Sequence, residues 1–246
     1  MPVFFVPPQC VAPPAISITD DLLIHIRDSL RIAVGETLWL GDGQGTKYLA
    51  RITNVSKQAV TGQILETIQE PPRRTPRLIL GQSLLKGEKM DWVIQKATEL
   101  GVDELVPIES RYSVVQLKAD RVGHQLARWR RIVLEAAQQS ERWHIPTIAE
   151  PESLASLLTR QANGTVTLML AERRKGKILQ TVALPQDVTG SVLLLIGPEG
   201  GWSKEEMEKA EQANVCSITL GQHILRSETA AIATISILQS RLGGLG

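Results

Sequence analysis

Two short stretches gather most of the residues able to do chemistry. IGPEGGW, residues 196–202, ends an apolar run at Ile196 on Gly197, Pro198, Glu199, Gly200 and Gly201. ITLGQHILRSETA, residues 218–230, ends another on Leu220 and Gly221, then continues through Ile224, Leu225, Arg226, Ser227, Glu228 and Thr229. Glycine lacks a Cβ, so it bares backbone N–H and C=O groups to an approaching molecule and tolerates positive φ. Two such reversals suit a flat ligand read by main chain, and the second adds a cation and a carboxylate beside a helix start. Neither stretch fits G-x-x-x-x-G-K-[ST], which argues against a nucleoside triphosphate cradle. There is no G-x-S-x-G elbow, and His25, His124, His144 and His223 lack metal spacing such as HExxH. A third glycine-rich stretch, GDGQG at 41–45, is followed by Tyr48, Leu49 and Ile52. A dinucleotide loop must instead open a helix, so this one reads as a hairpin turn.

The elements that carry these loops fall into two rhythms. Residues 1–70 read as short strands: TLWLGDGQGTKYLARI gives two joined by the turn at 41–45, and NVSKQAVTGQILETI two more. That spacing predicts a small β-barrel-like domain. EPPRRTPR, 70–77, is the expected linker, since its prolines deny helix and ladder hydrogen bonds. Beyond it strands and helices alternate. LILGQSLL, ELVPIES, TVTLMLA, SVLLLIG and CSITLG are strand candidates. GEKMDWVIQKATELG places Met90, Ile94, Ala97 and Leu100 on one helical face, with Gly101 set to end the helix. RVGHQLARWRRIVLEAAQQS, PESLASLLTR and SETAAIATISILQSRL are further helices, and SKEEMEKAEQA opens on a capping box, Ser203 with Glu206. Apolar strands alternating with helices predict an α/β fold with a parallel sheet covered on both faces, whose ligands sit beyond the strand carboxyl ends.

Composition sets wider bounds. At 246 residues, 43% apolar and 22% charged, the chain can bury a full core as one large domain or two smaller ones. A net charge of +1 supplies no global basic field, so a polyanion would need a local patch. Cys10 and Cys216 stand far apart without CxxC spacing, which argues against structural zinc or a disulfide framework and fits a reducing compartment. The N-terminal MPVFFVPPQCVAPP lacks a basic n-region and is broken by prolines, unlike a signal peptide. No apolar run approaches the roughly 20 residues of a membrane span. A cytoplasmic protein without membrane or metal is expected.

IGPEGGWSKEE followed by LGQHILRSETAAI closely resembles the C-terminal signature of the bacterial ribosomal RNA small-subunit methyltransferase E family, in the SPOUT class. KGEKMDWVIQKATELGV (86–102), RIVLEAAQQSER (131–142) and DSLRIAVGETLWLGDGQG (28–45) resemble further family blocks in family order. Departures are Gln138, where an acidic residue is common, and His223, where arginine is common. The resemblance implies a PUA-like RNA-binding β-barrel domain at 1–70 and a SPOUT methyltransferase domain at 71–246, with a C-terminal trefoil knot at about 165–240. It also implies S-adenosyl-L-methionine as cofactor, a homodimer, and methylation of uridine N3 in small-subunit (16S) ribosomal RNA. The cofactor set so implied is Leu170, Ile196, Gly197, Pro198, Glu199, Gly200, Gly201, Leu220, Gly221, Ile224, Leu225, Arg226, Ser227 and Thr229.

Uracil N3 is protonated at neutral pH, so methylation there needs a group that takes the proton or stabilises the anionic ring. Arg226 suits the second role; Glu199 and Glu228 are the candidate proton acceptors. An acidic residue in a first helical turn, as Glu228 is, also simply complements the helix dipole. For RNA contact, residues 71–131 hold twelve Lys or Arg against seven Asp or Glu, leaving +5. Arg31, Arg73, Arg74, Lys86, Lys89 and Arg111 are the candidates, although basic residues also decorate solvated helix faces. Two alternatives stay open: an RNA-binding or assembly protein without catalysis, and a SPOUT enzyme acting on ribose 2′-oxygen or transfer RNA.

Overall fold

The computed structural model describes residues 3–162, 164–171 and 176–245. The chain divides into two compact units, one of residues 1–72 with 137–145 and one of residues 73–136 with 146–246. Residues 172–175, within the span expected for the knot, lie outside the described residues.

The first unit holds β1 (Val3–Phe5), β2 (Val11–Ala12), β3 (Ala15–Ile18), a short helix α1 (Asp20–Ile24) running into one π turn, β4 (Thr37–Gly41), β5 (Thr46–Val55) and β6 (Val60–Gln69). Its sheet runs β1-β4-β5-β6-β3-β2, antiparallel except for the β1–β4 pair. Leu38, Leu40, Ala50, Ile52 and Val60 point into its core with Ile16 and Ile18. The turn at 41–45 joins β4 to β5 as a hairpin: Asp42 Oδ1 accepts from the N–H groups of Gln44 and Thr46 at 2.7 and 3.0 Å. The stretch 54–68, expected as two strands, is one strand plus the tail of another. Ser56 forms a tight turn with Ala59, its hydroxyl both donating to and accepting from that residue's backbone. Within β5, register shifts at Leu49/Ala50 and Ile52/Asn54 let a long strand bend without losing its partner.

Residues 137–145 complete this unit as a strap. Lys47 is buried although charged: its ammonium donates to the Glu141 carbonyl at 2.8 Å and lies 3.9 Å from the centre of the Trp143 ring. His144 Nε2 meets Glu70 Oε2 at 2.5 Å, and Gln44 bridges to His144 in antiparallel fashion.

The second unit follows the predicted alternation: β7 (Arg77–Ser83), α2 (Glu88–Glu99), β8 (Glu104–Glu109), α3 (Ala119–Gln139, whose last residues join the strap), β9 (Thr147–Ile148), β10 (Glu152–Ser153), α4 (Leu154–Thr159), β11 (Thr165–Leu170), β12 (Lys177–Ile178), β13 (Ser191–Ile196), α5 (Lys204–Gln212), β14 (Cys216–Thr219) and α6 (Ser227–Leu242). All its strand pairs are parallel, in the order β10-β8-β7-β13-β11-β14-β12 with β9 also on β8.

Strand side chains alternate between faces, so SVLLLI serves two cores at once. Val192, Leu194 and Ile196 pack with Met90, Val93 and Ile94 of α2, Trp129 of α3 and Ala231, Ile235 and Leu238 of α6. Leu193 and Leu195 pack the other way against Leu154 and Leu157 of α4 and Ala210 of α5. Gly101 closes α2 at φ 86°, where a Cβ would lie 2.6 Å from the Gln239 side-chain nitrogen. Because every strand is parallel, the segments after β7, β8, β11, β13 and β14 all emerge at one edge of the sheet. Both glycine-rich stretches follow two of these strands.

Candidate functional site

The neighbours β13, β11 and β14 end at Ile196, Leu170 and Thr219, and beyond those ends lies a cavity of about 480 Å³. Its apolar part is Leu170, Ala171, Ile196, Leu220, Ile224, Leu225 and Ala230. Gly197, Gly201 and Gly221 can present only main chain to the cavity, and Pro198, Glu199, Trp202, Thr219, Gln222, His223, Arg226 and Ser227 complete the lining. Of the fourteen residues expected around a cofactor, Gly200 and Thr229 do not line the cavity; Thr229 sits exposed in the first turn of α6.

Trp202, which the sequence reading passed over, shapes the first wall. Its indole N–H donates to the Leu170 carbonyl at 3.2 Å, so the loop after β13 folds back over the end of β11. A Cβ on Gly197 would lie 3.1 Å from that indole nitrogen. The need for glycine there is thus a close approach of backbone and ring, in addition to exposed amides. Gly201 sits at φ 73° and Gly221 at φ 127°, conformations that favour glycine.

A buried polar chain joins the two walls. Gln82, at the end of β7 and 1% exposed, donates through Nε2 to Ser227 Oγ at 3.1 Å, and Ser227 Oγ donates to the Gly197 carbonyl at 2.6 Å. The start of α6 is thereby fixed to the first residue after β13. Ser203 and Glu206 form the expected capping box at α5. Glu206 does more than cap: Oε2 accepts from Ser203 N–H while Oε1 accepts from Arg111 N–H at 3.0 Å, which ties down the segment after β8. Gly200 meets that segment, since a Cβ there would lie 3.0 Å from the Tyr112 Cβ.

Charge gathers at one side of the cavity. The Lys89 ammonium, from the first turn of α2, lies 3.0 Å from Glu199 Oε1 and 3.7 Å from Glu228 Oε1. Burial acts to raise the Glu199 carboxyl's pKa. A backbone hydrogen bond within Glu199 itself, the Lys89 ammonium and the Lys86 backbone outweigh it and hold the carboxyl below its ordinary value. Lys89 is shifted upward, first by its hydrogen bond to Glu199 and against partial desolvation. Glu228 does not line the cavity, and its Oε2 is buried without a hydrogen-bond partner among the described residues. Arg226, the N-cap residue of α6, lines the cavity and is exposed.

The six basic candidates are placed differently. Lys86 and Arg111 are exposed in the segments after β7 and β8, on the same edge of the sheet as the cavity. Lys89 faces the two carboxylates. Arg73 grips Asp103 with both terminal nitrogens at 2.9 and 2.7 Å and donates to the carbonyls of Thr75 and Pro76, so it anchors the chain entering β7. Arg74 is exposed nearby, and Arg31 belongs to the first unit at φ 52°. Among the described residues no three His, Cys, Asp or Glu converge as a metal site, and no helix is long and apolar enough to cross a membrane.

The cavity suits a bent nucleoside: its volume falls within the roughly 300–1,000 Å³ of small-molecule sites, mostly apolar with a few aimed polar groups. Comparison with known proteins points the same way. A family model described as RNA methyltransferase domain matches residues 72–239, and one described as RNA methyltransferase PUA domain matches residues 18–65. Ribosomal RNA small subunit methyltransferase E of Bacillus subtilis is 30% identical, over 92% of this chain and 90% of its own. Its namesake from Mesomycoplasma hyopneumoniae is 38% identical over 77% of this chain and 79% of its own. The crystal structure of ribosomal RNA small subunit methyltransferase E from Neisseria gonorrhoeae, bound to S-adenosyl methionine, superposes with a TM-score of 0.87 at 30% identity, covering 98% of each chain. The fold is therefore the α/β fold of these RNA methyltransferases, and the chain belongs to the ribosomal RNA small subunit methyltransferase E family.

Proposed function

We propose that this protein transfers a methyl group from S-adenosyl-L-methionine to N3 of a uridine in small-subunit (16S) ribosomal RNA. The observation that carries the reading is the cavity between two glycine-rich reversals, lined by apolar side chains and by glycines that bare their main chain. Leu170, Ile196, Leu220, Ile224 and Leu225 would enclose the flat base, with amides and carbonyls at Gly197, Gly201 and Gly221 reading its polar edge. The cofactor, when bound, supplies the electrophilic methyl on its sulfonium.

The chain's own task is to position the acceptor and manage one proton. Arg226 faces the cavity and stabilises negative charge on the uracil carbonyls once N3 loses its proton. Glu199 lines the cavity and is ionised at neutral pH, so it accepts that proton directly or through water. Its depressed pKa makes it a weak base, which leaves more of the work to Arg226. Glu228 acts from behind the wall through Lys89. Lys86, Arg111, Arg74 and Arg31 offer phosphate contacts, while Arg73 and Lys89 are held by carboxylates.

Residues 1–70, with the 137–145 strap, serve as a PUA-like RNA-binding domain, the rest of 71–246 forms the SPOUT domain with its trefoil knot, and two copies pair as a homodimer. Calorimetry with S-adenosyl-L-methionine tests the reading against a non-catalytic RNA binder. A saturable heat that is followed by transfer of labelled methyl to small-subunit RNA supports it; the absence of both removes it.

A further inference from the structure

Lys89 belongs to a segment far from both glycine-rich stretches, yet its ammonium sits between a carboxylate of each. Glu199 is in the segment after β13, Glu228 in the first turn of α6, and Lys89 reaches them from the first turn of α2 at 3.0 and 3.7 Å. We propose that Lys89 is a positioning residue of the transfer site, whose ammonium clasps Glu199 to Glu228 and so holds the two walls of the cavity in register.

Three observations carry this. Glu199 lines the cavity and Glu228 does not, so the clasp ties a wall residue to a fixed point in the helix behind it. Glu228 is placed by the first turn of α6 and its side chain is only 15% exposed, with Oε2 buried without a partner among the described residues, so the Lys89 ammonium offsets a charge that water barely reaches. Lys89 and Glu199 are about one-third exposed, and ion pairs of that exposure add little to folding. The pair therefore does little for global stability, and its effect is local geometry. Without the cation, two like charges would face each other across the junction of the walls and push it open.

Charged groups around Glu199 are Lys89 from α2 and Glu228 with Arg226 from the start of α6, Arg226 acting through Lys89; the Lys86 backbone also donates to the carboxyl. Losing Lys89 removes a cause that lowers the Glu199 pKa, so the acid limb of any Glu199-dependent profile moves to higher pH.

The inference rests on the methyltransferase reading, and the test separates the two. Amide hydrogen exchange is measured on cofactor-free protein for Lys89→Met, Lys89→Arg and the parent. Exchange in both 197–203 and 222–228 is expected to rise about tenfold in Lys89→Met and to stay near parental in Lys89→Arg. With cofactor and RNA, Lys89→Met is expected to raise KM for the cofactor about tenfold with a smaller change in kcat, and to move the acid limb upward. Unchanged exchange in Lys89→Met, or equal failure of the Arg variant, overturns the clasp whatever the protein binds. Parental protein that neither binds the cofactor nor methylates RNA would overturn the functional reading, while the exchange result would still decide the clasp.

Discussion

Replacing Gly197 by alanine isolates one contact of the cavity wall. Gly197 has no positive φ, so its backbone accepts a side chain, and any effect must come from the space the methyl enters. That space holds the Trp202 ring: the added Cβ would lie 3.1 Å from Nε1, 3.2 Å from Cε2 and 3.4 Å from Cδ1. The ring must retreat by a few tenths of an ångström, which stretches its 3.2 Å hydrogen bond to the Leu170 carbonyl beyond useful range. Crowding of this kind costs about 1–3 kcal/mol, of which the lost hydrogen bond is about 1 kcal/mol. Gly197 and Trp202 both line the cavity, so the cost falls on the cofactor-binding conformation and affinity drops about five- to 150-fold. Calorimetry on Gly197→Ala, Trp202→Ala and the double variant makes a closed cycle. Trp202→Ala also weakens binding, but adding Gly197→Ala to it changes nothing further, because the ring it would strike is gone. Additive losses, or parental affinity in Gly197→Ala, would refute the reasoning.

Arg226→Ala is expected to lower kcat by about 10²–10³, as for loss of a donor to developing negative charge, with cofactor affinity largely intact; equal turnover removes Arg226 from the mechanism. Glu199 has its folded pKa below the ordinary 4.5, so its contribution to stability is present above the unfolded value and lost as pH falls through the folded one. Thermal unfolding of Glu199→Gln across the acid range should therefore show a shallower loss than the parent, and matching slopes would contradict the shift. Lys47→Ala removes the charge-assisted hydrogen bond and ring contact that hold the 137–145 strap, and denaturant unfolding should show a loss of about 1–3 kcal/mol. Lys86→Ala and Arg111→Ala should each reduce the salt slope of RNA binding by about 1; an unchanged slope takes that residue out of the interface.

Much of the second unit was legible because its signals are local. The helix read from SETAAIATISILQSRL is α6 residue for residue, the Ser203/Glu206 box caps α5, and each apolar run proved a parallel strand. The first unit was less so. Alternation in 54–68 fits two strands, but only the Ser56 hydroxyl, bonded to Ala59, shows where the turn falls. The helical stretch at 20–29 has too few residues to set a period, and nothing local tells that α3 leads into a strap on the other unit. At the site, glycine and charge singled out Gly197, Glu199, Gly201, Gly221 and Arg226 of the cavity's lining, and the family resemblance supplied seven more. Trp202 escaped because its partner Leu170 is 32 residues away, and the Lys89 contact because Glu199 is 110 away. Gln82 looked like one polar residue closing a strand; its partner Ser227 is 145 residues on. Periodicity carries no record of such meetings, which the parallel sheet creates by bringing the ends of separate strands to one edge.

The most direct test of the account is nucleoside mass spectrometry of small-subunit ribosomal RNA from cells with and without this protein. The account predicts one 3-methyluridine that disappears with the protein and returns with the parental chain but not with Arg226→Ala. An unchanged 3-methyluridine signal, or loss of a ribose-methylated or transfer-RNA nucleoside instead, would contradict it.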